Sequence, residues 1–197
     1  MIRVGITGNI GSGKTLSSMV FNKLGIPVFE ADQQAKALYM EQEVKAKMSV
    51  RFGDQIYFSN GQLNKKKLAD ILFSDPNAVS FVNNLIHPAV RQKFSSWVDQ
   101  QTNCPYILYE AAILFETGYY KQLDYNILVV APAEIRIKRV MERDHVGLDA
   151  VKKRMQYQWS DEQKTELADF IIKNDDENLL IPQVLTIHRN LLAKTGL

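Results

Sequence analysis

Hydrophobic positions along this 197-residue chain gather into short runs that barely alternate with polar ones. Residues 2–7, 27–30, 106–109 and 125–131 are nearly continuous apolar stretches, and 170–173 is a shorter one. A strand with one wetted face alternates; a run without alternation is what a parallel sheet covered on both faces requires. Between these runs the apolar positions recur every three or four residues, which predicts helices over 14–24, 33–48, 88–101, 133–143, 148–159 and 179–194. Gly25 stops the first helix, and Ser160 with Gln163 has the spacing of a capping box for another short one. Strands alternating with helices predict an α/β fold of three layers around a parallel central sheet.

One stretch interrupts that rhythm. Residues 31–105 are too long for a single crossover helix, and their helical spacing is broken at Gly53, Asn60-Gly61, Pro76 and Pro88. The expectation is one domain with a core of 1–30, 105–135 and 168–197, a helical insertion over 31–104, and a helical lid over 136–167. The chain shows no internal repeat and no low-complexity segment.

Composition narrows the function classes. Hydrophobic residues at 46% and charged residues at 23% are ordinary for a globular protein, and a net charge of +2 argues against a general affinity for nucleic acid. Cys104 is the only cysteine, which excludes an internal disulfide and a cysteine metal cluster and fits a reducing compartment. The chain opens directly into an apolar strand without a basic and apolar leader, and its apolar runs are too short or interrupted to span a bilayer. The expected location is the cytoplasm, with no membrane partner.

The strongest chemical signal follows the first strand. In GITGNIGSGKT, Gly8, Gly13, Lys14 and Thr15 satisfy the P-loop spacing between a strand and a helix. A polyphosphate needs many donors at close range, and glycines let successive backbone N–H groups face it while the helix adds its positive end. Lys14 would reach the β- and γ-phosphates, and the Thr15 hydroxyl would join the coordination of Mg²⁺. The same glycines would also serve a plain turn, but the full pattern in this context favours a nucleoside triphosphate.

A P-loop alone does not separate a kinase from a motor or a switch. Asp32, just past the second strand, reads as the N-cap of a helix beginning at Gln33, as a carboxylate that orients an attacking hydroxyl and takes its proton, or as both. Arg136, Arg139 and Arg143 share one helical face, with Ile137, Val140 and Met141 on another. That face reads as a solvated basic surface or, together with Arg154 on the next helix, as a lid over phosphates. Glu110 after the third strand is either a carboxylate near the metal or a loop cap, with Glu116 further along in apolar company. His87 is either a ligand contact or structural.

In this order the segments GITGNIGSGKT, LGIPVFEAD, the FG and NG pairs before KKKLADILF, NLIHP, AILFE, RIKRVMERD and ADFIIKND resemble the dephospho-CoA kinase family over nearly the whole chain. The resemblance implies a nucleotide-binding core, a helical domain for the CoA substrate and a lid, and ATP-dependent phosphorylation of the ribose 3′-hydroxyl of dephospho-CoA. It implies that Gly8, Asn9, Ile10, Gly11, Ser12, Gly13, Lys14 and Thr15 hold ATP, with Mg²⁺ on Thr15 and Lys14 also catalytic. Asp32 would be the base, Arg139 and Arg143 would serve ATP, with Arg139 also catalytic, and Asn174 would lie near the adenine. Lys65, His87, Glu110 and Arg154 would lie on the acceptor side with Asp32. Three positions depart from the family pattern: Leu16 stands for a usual threonine, Lys65 for arginine and Ala112 for proline. ATP and dephospho-CoA are the expected partners; oligomeric state is left open. The rivals are another small-molecule kinase acting on a nucleoside, nucleotide or shikimate, and a nucleotide-gated switch. Against the switch stands the lack of a guanine-reading NKxD segment, since KNDD at 173–176 has the wrong order.

Overall fold

In the computed structural model, which describes residues 1–195, five strands form one parallel sheet. They are β1 (Ile2–Thr7), β2 (Val28–Glu30), β3 (Tyr106–Glu110), β4 (Tyr125–Val130) and β5 (Phe170–Lys173), in the order β2-β3-β1-β4-β5. The helices of the described residues are α1 (Lys14–Lys23), α2 (Ala31–Leu38), α3 (Gln42–Phe52), α4 (Lys65–Ser74), α5 (Pro76–Val98), α6 (Ala133–Asp144), α7 (Leu148–Met155), α8 (Asp161–Thr165) and α9 (Leu180–Lys194). The chain divides into two compact units, Met1–Glu30 with Gln101–Leu197, and Ala31–Gln100.

The first unit holds the sheet. β1 lies at its centre, with Ile6 opposite Glu110 of β3 on one side and Ile127 of β4 on the other. Val4, Ile6, Leu108, Ile127 and Val129 are buried without residual exposure, joined by Phe21 of α1 and Val184 and Leu191 of α9. Covering on both faces explains why these strands read as unbroken apolar runs. The carboxyl end of β1, and the loop that leaves it, therefore emerge mid-sheet, where parallel sheets present ligand sites.

The second unit is helical. Its axis is α5, whose residues Ala78, Val82, Ile86, Val90, Phe94 and Val98 form a buried stripe with a period of four. Ala31 and Leu38 of α2, Val44, Met48 and Phe52 of α3, and Leu68 of α4 are the buried residues of the other helices. α5 starts at Pro76, capped by the Asp75 carboxylate, which accepts from Asn77 N at 2.8 Å. It runs straight through Pro88, so the break expected there, and the helix start, are corrected. Pro88 and Asn84 are both exposed, so the ring points away from the core and the Asn84 carbonyl that loses its partner faces water.

The helix expected over 33–48 is two helices. Met40 N and Glu41 N donate to Ala37 O and Leu38 O, three residues back, and this tightened turn ends α2 before α3 begins at Gln42. Both helices bury one apolar side, so the hydrophobic period runs on across a break it does not report.

Candidate active site

The loop after β1 folds as its glycines require. A Cβ on Gly8 would lie 2.4 Å from the Val129 carbonyl oxygen, so only hydrogen fits where the loop passes β4. Gly13 has φ +90° and would place a Cβ 1.9 Å from Asn174 Nδ2. It is the N-cap of α1 and supplies no side-chain acceptor, and the first turn holds no acidic residue. The helix thus begins with backbone N–H groups that no side chain caps, on the positive end of its dipole, which fits an anion.

Lys14 and Thr15 meet Glu110. Lys14 Nζ and the Thr15 hydroxyl each donate to Glu110 Oε1 at 2.8 Å. Glu110, at the end of β3, is 5% exposed and stands in register with Glu30 of β2. Of the two local readings, the geometry gives Glu110 to the loop's cation and hydroxyl. Oxygen donors of this kind suit Mg²⁺, which takes one or two protein ligands and completes its shell with phosphates and water. Among the described residues no group of three or more His, Cys, Asp or Glu forms a separate metal cage.

Arg139 and Asn174 come together beside the loop. Arg139 Nη1 donates to Asn174 O at 3.0 Å and its Nη2 pairs with Asp176, while Asn174 Nδ2 donates to Ser12 O at 2.8 Å. The arginine face of α6 is not uniformly solvated. Arg136 is buried, donating from Nε to Ala131 O at 2.9 Å and pairing with Asp161 at 3.4 Å. Arg143 and Arg154 are joined instead through Asp144: Arg143 binds both carboxylate oxygens, at 2.7 and 3.1 Å, and Arg154 Nη1 donates at 2.6 Å. The Arg143 hydrogen bonds, with those of Arg154, hold the Asp144 carboxyl down at about 2.

Sequence reasoning missed the other side of the loop. Asn9 Nδ2 donates to Asp161 Oδ1 at 2.7 Å and to Trp159 O at 3.1 Å, and Ile10 N donates to Gln158 Oε1 at 2.8 Å. Lys164, wholly buried, donates to Glu116 Oε1 at 2.8 Å and to Asn9 Oδ1 at 2.7 Å. The local signals were Glu116 in apolar company and the Ser160–Gln163 capping box, which is present and starts α8.

Asp32, Lys65 and His87 belong to the helical unit. Asp32 lies within the first turn of α2, which starts at Ala31, so it is not the cap ahead of Gln33; its carboxylate still meets the positive helix end. Lys65 opens α4 and lines a cavity of about 580 Å³ with Lys36, Tyr39, Met40, Leu63 and Leu68. His87 sits in mid-α5, where burial and then Arg91 pull its pKa below the ordinary histidine value.

Comparison with known proteins agrees with this geometry. The family model described as dephospho-CoA kinase matches residues 2–179. A dephospho-CoA kinase of Bacteroides fragilis is 38% identical over 193 residues, covering 98% of this chain and 94% of that protein. One from Porphyromonas gingivalis is 36% identical, covering 98% and 96%. Among solved structures, the dephospho-CoA kinase from Campylobacter jejuni superposes with a TM-score of 0.69 at 26% identity, covering 98% of each chain. A match of this extent, on a chain whose loop, lysine and hydroxyl are arranged for a triphosphate, places it in the dephospho-CoA kinase family.

Proposed function

We propose that this chain transfers the γ-phosphoryl group of ATP to the ribose 3′-hydroxyl of dephospho-CoA, giving coenzyme A and ADP. The observation that carries the reading is the cluster of Lys14, Thr15 and Glu110 at the uncapped start of α1, in a chain matched by the family model over residues 2–179. The backbone N–H groups at Gly13 to Thr15 and the Lys14 ammonium hold the triphosphate and neutralise charge that spreads over the transferred group. Mg²⁺ arriving with the nucleotide would be held by the Thr15 hydroxyl and the Glu110 carboxylate, and would supply further neutralisation.

Asp32 orients the acceptor hydroxyl and takes its proton. As the new O–P bond forms, the bond from the γ-phosphorus to the β,γ-bridging oxygen breaks, and ADP leaves with that electron pair. Arg139, beside Asn174, would serve the phosphates, Arg143 would join it on turning away from Asp144, and Asn174 would lie near the adenine. On the acceptor side, the cavity beside Lys65 and Lys36 offers ammonium groups to a diphosphate and an apolar wall to a pantetheine arm. His87 and Arg154 complete the acceptor contacts. No helix among the described residues is long and apolar enough to cross a membrane, and a single cysteine suits work in the cytoplasm.

The test is a coupled assay of ADP release with dephospho-CoA, AMP, adenosine and shikimate as acceptors. Turnover should be far higher with dephospho-CoA, the acceptor that carries a pantetheine arm. Equal turnover of AMP overturns the reading.

A further inference from the structure

Lys164 of α8 is a lysine with 0% exposure. Burying an ammonium is strongly unfavourable unless partners replace its water. One partner, Glu116, balances the charge at 2.8 Å. The second bond goes to Asn9 Oδ1 at 2.7 Å, and Asn9 is the second residue of the phosphate-binding loop. Asn9 is itself 5% exposed and spends both amide hydrogens on Asp161 Oδ1 and the Trp159 carbonyl.

The next residue is held by the same segment, since Ile10 N donates to Gln158 Oε1 at 2.8 Å. Residues 158–164 are stiffened in turn by the Ser160–Gln163 capping box and by Trp159 N donating to Glu116 Oε1 at 3.0 Å. The first half of the loop is therefore gripped from outside, and Ser12 N donates back to Asn9 O at 2.9 Å, so the hold on Asn9 reaches the second half as well. Glu116 and Asn9 meet at one nitrogen. The ammonium carries three donors, and one of them is spent on the loop.

We propose that Lys164 is a positioning residue for phosphoryl transfer: through Asn9 it fixes the first half of the phosphate-binding loop in the shape that receives ATP. The inference rests on the reading that this loop binds ATP.

Its test is the double variant Lys164→Met/Glu116→Gln, which removes the ammonium without leaving a buried carboxylate unpaired and keeps an acceptor for Trp159 N. ATP affinity is measured by calorimetry, the KM values for ATP and dephospho-CoA by steady-state kinetics, and stability by melting without ligand. A loop displaced by about 1 Å costs on the order of 10²-fold in the reaction it serves, so kcat/KM for ATP should fall by about that factor, with a loss of ATP affinity beyond about threefold. The KM for dephospho-CoA should stay within about twofold, and the ligand-free protein should still melt cooperatively. If the double variant does not fold, Lys164→Gln/Glu116→Gln is read in the same way, because the glutamine amide fills the site without charge and falls one bond short of Asn9 Oδ1. ATP affinity within about threefold of the parent, in whichever variant is folded, overturns the proposal. A parent chain that does not itself bind ATP overturns the functional reading, and this inference with it.

Discussion

Replacing Glu110 by glutamine separates the two tasks of its carboxylate. Glu110 Oε1 accepts from Lys14 and Thr15, and the Lys14 and Glu110 side chains are only 12% and 6% exposed. A hydrogen bond to a charged group contributes about 1.5–3 kcal/mol, and a neutral one about 0.5–1.5 kcal/mol. Glutamine keeps an oxygen in place, so the loss is the difference, about 1–2 kcal/mol. For a chain of this size 1 kcal/mol moves Tm by about 2–4 °C, so Glu110→Gln should melt about 2–8 °C lower than the parent. ATP without Mg²⁺ should raise the variant's Tm at least as much as the parent's, because Lys14 then has no carboxylate to give up when it turns to phosphate. With Mg²⁺ present, turnover should fall about 10²-fold or more, the usual scale for losing one electrostatic element of a reacting site. Differential scanning fluorimetry and the coupled ADP assay read both effects. A variant that melts within about 1 °C of the parent would show that the Lys14–Glu110 pair contributes little. Turnover within about threefold, which is under ~1 kcal/mol of barrier, would remove Glu110 from the reaction.

Asp32→Asn should reduce turnover by about 10²- to 10⁴-fold with little change in ATP affinity. Its stability should fall by no more than the ~0.3–1 kcal/mol of a first-turn charge; a folded variant turning over within about threefold of the parent leaves Asp32 a helix-dipole residue only. Arg139→Ala should lower turnover more than stability, because the exposed part of its pairing with Asp176 contributes little; early melting with normal specific activity would make it structural. Asp144 should titrate at about 2 by NMR, and Arg154→Ala should move that midpoint up toward the ordinary carboxylate range near ~4. Because the folded pKa is the lower one, Asp144 stabilises the fold above the unfolded value, and that contribution is lost as pH falls from about 4 through about 2. An unmoved midpoint in Arg154→Ala would show that Arg154 does not hold this carboxylate.

The alternation of apolar runs and helical periods was enough to locate all five strands, and the spacing of Gly8, Gly13, Lys14 and Thr15 was enough to locate the phosphate-binding loop. Both are local: a run or a short motif reports how a few neighbouring residues meet core or ligand. Periodicity also ran past a boundary it cannot detect, at Tyr39–Glu41, and Pro88 read as a break and a helix start because the sequence cannot tell which face of a helix a proline lies on. The order β2-β3-β1-β4-β5, which brings the loop out mid-sheet, is a property of strand pairing and not of any strand. The same holds for the polar contacts. Lys14 finds Glu110 across 96 residues and Lys164 finds Asn9 across 155. Arg136 has the same spacing as Arg139 and Arg143 yet is buried against Ala131 and Asp161. Which charge is buried, and against what, is decided by desolvation and by the partner that compensates it, and that partner is supplied only when distant segments pack.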